Sequence, residues 1–270
     1  MLKLTLVLLV TLLAISCAFD LSEFTIDTRV VQGENAARGQ FPYYIFLKIK
    51  LGEGYAACGG SLISDEWVVT AAHCLKGVSG VEVHLGSLKV KDVNEEGRVV
   101  LSVGKEGIHV HPRYVQAVLW NDIGLIKLPQ KVEFSKTIKP VKLACSSSKN
   151  LAVTVIGNGL MKTDSKELAP ILQFTTLKTV PLTQCLVEYP ILFLRKSVIC
   201  ARGVQQKSSC KGDSGGPLVS AQSGALVGLT SFGSAHGCHL GYPQGYTNIP
   251  SYLQWIQEVT GISDCESNVQ

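Results

Sequence analysis

Short apolar runs broken by glycine and proline limit what this chain can fold into more than any other feature. Alternating or β-branched stretches lie at 44–50, 81–85, 99–103, 152–156, 174–180, 198–201 and 225–230. Each has the length of a strand and is too short for a stable helix. Only the C-terminus has helical spacing. There Tyr252, Trp255, Ile256 and Val259 share one face, Ser251 and Gln254 form a capping box, and Gly261 ends the run. With 46% hydrophobic and 17% charged residues, the chain can bury a substantial core, and we expect an all-β domain.

The N-terminus stands apart from this pattern. Residues 1–18 combine Lys3, an apolar run from Leu4 to Ile15 and the small residues Ser16 and Ala18, the make-up of a secretory signal peptide cleaved after Ala18. That run is too short to span a bilayer and no later stretch qualifies, so we expect a secreted, extracellular protein with no membrane partner. Removing Cys17 with the signal leaves eight of nine cysteines, an even number suited to disulfides, and sequence alone leaves 105 pairings open. A net charge of +4 without any lysine or arginine run excludes nucleic acid as a partner.

Three segments carry chemistry. In Gly212-Asp213-Ser214-Gly215-Gly216-Pro217, glycines allow a tight turn that exposes a serine hydroxyl and frees backbone N–H groups, as an acyl-transfer nucleophile requires. A base is found at His73, directly after the buried-strand run Trp67-Val68-Val69-Thr70-Ala71-Ala72 and before Cys74. The other five histidines, His84, His109, His111, His236 and His239, lie in surroundings that suit packing or solvation. Asp122 begins the apolar run Ile123-Gly124-Leu125-Ile126, so its carboxylate is buried and needs hydrogen-bond partners, the imidazole among them.

Residues 70–74 (TAAHC), 121–128 (NDIGLIKL) and 210–217 (CKGDSGGP) resemble the three signatures of the trypsin/chymotrypsin-like serine proteases, in that family's order of His, Asp, Ser. The resemblance runs from about residue 30 to 262 and is strongest to secreted, invertebrate-type chymotrypsin-like digestive proteases. It implies two antiparallel six-stranded β-barrels with a C-terminal α-helix and an active site in the cleft between them. The corresponding peptidase domain is 30–270, with lobes at about 30–137 and 138–250 and the helix at 251–261. It further implies that Ser214 is the nucleophile, His73 the base and Asp122 its orienting group, with Gly212 and Ser214 N–H groups forming the oxyanion hole. The implied disulfides are Cys58–Cys74, Cys185–Cys200 and Cys210–Cys238, and we expect the remaining Cys145 and Cys265 to pair. No cofactor or metal is implied, because Ser87 stands where an acidic calcium ligand is usual. The implied partners are protein or peptide substrates, an activating trypsin-like protease and protein protease inhibitors, with the chain itself a monomer.

Residues 19–29 resemble an activation propeptide ending in Arg29. Cleavage there would free the α-amino group of Val30 to pair with Asp213 and order the 211–216 loop, although Gln32 stands where the family has glycine. In the family, the residue six before the nucleophile lies at the base of the specificity pocket. Here it is Ser208, which disfavours lysine or arginine substrates. Ser231-Phe232-Gly233 resembles the segment that pairs with substrate as an added strand, and Gly233 leaves the pocket mouth open. These residues imply a chymotrypsin-like preference for large apolar side chains. Gln244 is open to three readings: it shortens the pocket towards an elastase-like or narrow specificity, meets a polar substrate group, or turns outward. Asn158 replaces a usual tryptophan, and Lys211 sits at the pocket rim. A catalytically silent binding protein is the alternative from another class, against which the intact His73, Asp122 and Ser214 argue.

Overall fold

The computed structural model describes residues 33–147, 150–163, 165–204 and 206–267. The expected signal peptide, the activation segment with Arg29, and Val30 lie outside them. Strand β1 (Glu34–Asn35) joins the second of two sheets. The first sheet is built from β2 (Tyr44–Leu51), β3 (Gly54–Leu62), β4 (Trp67–Thr70), β5 (Gly80–Leu85), β6 (Val99–Gly104), β7 (Ile108–Val110) and β8 (Gly124–Lys127). Their order is β6-β5-β2-β3-β4-β8-β7, antiparallel throughout. Val103 of β6 and Ile108 and Val110 of β7 pack on one cluster with Ile45, Leu47, Val68 and Leu85. The two edge strands thus wrap the same core.

The second sheet comprises β9 (Leu143–Ala144), β10 (Ala152–Gly157), β11 (Gln173–Val180), β12 (Val198–Arg202), β13 (Pro217–Ser220), β14 (Leu226–Phe232), β15 (Gln244–Asn248) and β16 (Cys265–Glu266). Six of them run β13-β10-β11-β12-β15-β14, and the β13–β14 pairing closes the ring into an antiparallel barrel. β9 and β16 add parallel pairs outside it, and β1 lies against β11. The architecture is therefore all-β, with two antiparallel β lobes and one C-terminal helix.

The pleat explains how the lobes join. On β2, Ile45, Leu47 and Ile49 enter the first lobe's core, while Tyr44 and Phe46 point the other way into a second cluster. That cluster also takes Ile123 and Leu125, Ile156 and Val219 from the second lobe, and Ile256 of the helix.

The helix spans Leu253–Thr260 after a 3₁₀ turn at Ile249–Tyr252, and Gly261 closes it at φ 78°. The expected capping box does not form. Ser251 Oγ instead accepts from Asn248 Nδ2 at 3.2 Å, and Gln254 Nε2 donates to Glu258 at 2.9 Å. Pro250 opens the preceding turn and has no N–H to satisfy, which removes part of the need for a cap. Disulfides join Cys58 to Cys74, Cys145 to Cys265, Cys185 to Cys200 and Cys210 to Cys238.

Candidate active site

Asp122 is 2% exposed, and its charge is tolerated because the surroundings donate to it. The His73 backbone N–H reaches Oδ1 at 2.9 Å, His73 Nδ1 lies 2.8 Å from Oδ2, and the Ser231 hydroxyl donates to Oδ2 at 2.5 Å. Thr247 Oγ1 holds the Asp122 carbonyl at 2.7 Å. Asn121, in left-handed backbone at φ 54°, aims the segment by donating to the Arg113 carbonyl at 2.6 Å. An imidazole with Nδ1 on a carboxylate turns its Nε2 outward as a base.

His73 lies on a one-turn helix, Ala72–Leu75, at the end of β4, with its side chain 24% exposed. The neighbouring Cys74 is tied to Cys58 of β3. From the same corner of β3, the Gly59 N–H donates to the Ser214 carbonyl at 2.7 Å, so the serine loop of the second lobe is fastened beside the histidine of the first. Gly215 makes this approach possible. Its φ is 75°, and a Cβ there would lie 2.0 Å from Thr70 Oγ1, so no other residue fits. On its other side the Gly215 N–H donates to the Thr230 carbonyl at 2.7 Å. Among the described residues, the N–H groups of Gly212 and Ser214 have no acceptor in the chain.

Asp213 points away from this face. It is 1% exposed, and it accepts from the Gly159 N–H at 2.7 Å and the Cys210 N–H at 2.8 Å. Burial raises its carboxyl to about 6, against the pull of those two donors. A Cβ on Gly157 would lie 2.0 Å from the carboxylate, and one on Gly159 2.5 Å. Hence the segment flanking Asn158 must stay bare. Asn158 itself is buried and donates to the Ala169 carbonyl at 3.3 Å.

Beside Ser214 opens a cavity of about 460 Å³, lined by Ser209, Cys210, Lys211, Thr230, Gly233 and Gln244 among others. Ser231 and Phe232 also line it. Gln244 does not turn outward: it is 5% exposed, and its amide reaches into the cavity wall to bond Ser209. Ser208, expected at the pocket base, is not among the lining residues, and its hydroxyl donates to the Cys238 carbonyl. Gln244 and Ser209, bonded to each other, line the cavity instead. Phe232 turns its ring towards Tyr189, with centroids 4.9 Å apart.

Sequence reasoning assigned Ser231 only to substrate pairing and missed its hydroxyl on Asp122, 109 positions away. A lone serine near the end of an apolar strand is the one local signal for such a role. His84 and His111 are buried in packing, while His236 and His239 are exposed. The one close grouping of metal-type ligands among the described residues is Cys58, His73 and Cys74. Its two sulfurs form a disulfide, which leaves no thiolate to bind an ion.

Two antiparallel β lobes that bring a histidine–aspartate pair against a serine turn define the class of two-lobed serine endopeptidases. Residues 30–256 match the Trypsin family, and the chain belongs to it. Similar proteins include the collagenase of Hypoderma lineatum, 38% identical over 242 residues covering 87% of this chain and 89% of that protein. Chymotrypsin-C of Rattus norvegicus is 35% identical, covering 86% and 89%. Serine protease 1 of Drosophila melanogaster is also 35% identical, covering 88% of each. The solved structure of HL collagenase superposes with a TM-score of 0.76 at 37% identity, covering 86% of this chain and 98% of that one. The chain is a serine endopeptidase whose substrates are proteins or peptides.

Proposed function

We propose that Ser214, His73 and Asp122 form the catalytic triad of a secreted endopeptidase. The observation that carries this reading is Asp122 bonded at once to the Nδ1 and the backbone N–H of His73, with Ser214 fastened alongside through Gly59. His73 takes the Ser214 proton as Oγ attacks the peptide carbonyl, and then returns a proton to the leaving amine. Asp122 keeps the imidazole in the tautomer this needs and stabilises the imidazolium. The two N–H groups of Gly212 and Ser214 receive the developing oxyanion, an arrangement worth roughly 3–4 kcal/mol per donor at such sites. Water then hydrolyses the acyl-enzyme. Ser214→Ala should lower peptide hydrolysis by about 10⁴-fold or more, and an unchanged rate would refute the assignment.

Activation belongs to the same proposal. Removal of 1–18 and cleavage after Arg29 free the Val30 ammonium for Asp213, whose buried carboxylate has backbone donors but no cation among the described residues. Uncleavable Arg29→Gln protein should then remain nearly inactive. The pocket lining holds no carboxylate, which disfavours lysine and arginine. The preference for large apolar residues meets an obstacle in the buried Gln244 amide, which supports the shortened-pocket reading instead.

A further inference from the structure

Gln244 does more than shorten a cavity. Its amide spans the space between two walls: Nε2 donates to the Ser209 carbonyl at 2.7 Å on one side. On the other, it lies 3.1 Å from where a Cβ on Gly233 would sit. Oε1 is saturated, accepting from the Ser209 N–H at 2.9 Å, the Ser209 hydroxyl, and the Tyr246 hydroxyl at 3.2 Å. The Ser209 backbone N–H can only donate and the Ser209 carbonyl can only accept, which identifies the atom facing the N–H as the oxygen and the atom facing the carbonyl as the nitrogen. The nitrogen then retains a second N–H with no acceptor among the described residues. Thr230, on β14 and lining the same cavity, is 7% exposed and keeps a buried hydroxyl without a partner. Lys211, the charged group of the lining, is exposed at the rim.

We propose that Gln244 is a specificity-determining residue that selects a side chain ending in a carboxamide, glutamine or asparagine, immediately before the scissile bond. This rests on the endopeptidase reading above. The substrate carboxamide oxygen accepts the second Gln244 N–H, and its NH₂ group donates to Thr230 Oγ1 as that hydroxyl turns about χ1. Methionine or leucine fills the same length but covers the Gln244 donor and leaves the Thr230 hydroxyl unpaired, and sites of this kind discriminate strongly on that basis. An aromatic ring needs the space that the Gln244 amide occupies between Ser209 and Gly233. A carboxylate finds a donor but no buried cation, and an ammonium finds the Thr230 hydroxyl but no carboxylate to balance its charge.

The test uses the chain activated by cleavage after Arg29, with active sites titrated by a fluorophosphonate. Peptides identical except for Gln, Asn, Met, Leu, Phe, Glu or Lys before the scissile bond are compared by kcat/KM. Gln or Asn should exceed Met and Leu by at least tenfold. Gln244→Leu keeps a side chain of similar size but removes the donor, and should bring the Gln-to-Met ratio close to one. Gln244→Gly should raise Phe cleavage at least tenfold. If Gln244→Leu does not fold, Thr230→Val should still lower the Gln-to-Met ratio severalfold. Cleavage after Met, Leu or Phe as fast as after Gln, by fully titrated enzyme, overturns the proposal. Absence of titration would instead strike down the endopeptidase reading on which it stands.

Discussion

Asp122 shows what single residues contribute to this site. Its two oxygens take three hydrogen bonds, two of them from His73 and one from Ser231. Asp122→Asn places an NH₂ where one oxygen now accepts, which favours the wrong imidazole tautomer. We expect kcat to fall by about 10⁴-fold with the fold intact by circular dichroism. Ser231→Ala removes one charge-assisted bond, and kcat/KM should fall about ten- to a hundredfold. Gly159→Ala puts a methyl group 2.5 Å from the Asp213 carboxylate and should reduce activity more than tenfold although His73, Asp122 and Ser214 are unchanged. Asp122 could be picked out in the sequence because a carboxylate heading an apolar run must be partnered. The Ser231 partnership could not, since it depends on how β14 of the second lobe meets the first.

At the scale of elements, β5 and the segment after it give a pH dependence. His84 is buried on β5 beside the Phe46 ring, with Nδ1 2.7 Å from the Arg98 guanidinium and Nε2 3.5 Å from Glu82. Burial first, and then the Arg98 charge, lower its pKa to about 4. The unfolded chain takes up this proton near pH 6.5 and the folded chain only near 4. Stability from this residue is therefore full above pH 6.5 and falls as the pH drops towards 4. In the uncleaved chain, Asp213, raised to about 6, acts in the opposite sense, losing stability as pH rises through the window from its unfolded value to 6. Urea unfolding of His84→Gln and the parent at pH 7 and 4.5 separates the two, because only the parent should show the His84 part of the acid loss. The strands that sequence made legible are those with β-branched alternation, such as β5, β6 and β11. Strand β3 contains Gly59 and Gly60, and β15 reads Gln-Gly-Tyr-Thr-Asn. Neither has the apolar alternation that marks a strand, because close backbone approach and a polar cavity wall set their composition. For that reason the orientation of Gln244 could not be read beforehand.

At the scale of the molecule, the two lobes are tied by packing, and one long-range disulfide fastens the C-terminal end of the chain to the second sheet. Cys145–Cys265 closes a separation of 120 residues and holds β16 beside β9. Replacing both cysteines with serine should cost about 4–5 kcal/mol in guanidinium unfolding through the freed unfolded chain, with activity retained below the transition. The order of the three motifs made the lobe arrangement legible, His73 and Asp122 in one and Ser214 in the other. What the order could not supply was the interlocking itself: Gly59 on Ser214, Gly215 against Thr70 and Ser231 on Asp122. These contacts assemble a site whose parts lie far apart in the chain. The most direct measurement is stoichiometric labelling of the cleaved protein with a fluorophosphonate, read by peptide mass spectrometry. The account predicts one label per chain, on Ser214, lost in His73→Ala and absent from uncleaved Arg29→Gln protein. No label on the cleaved parent, or a label on any other serine, would contradict it.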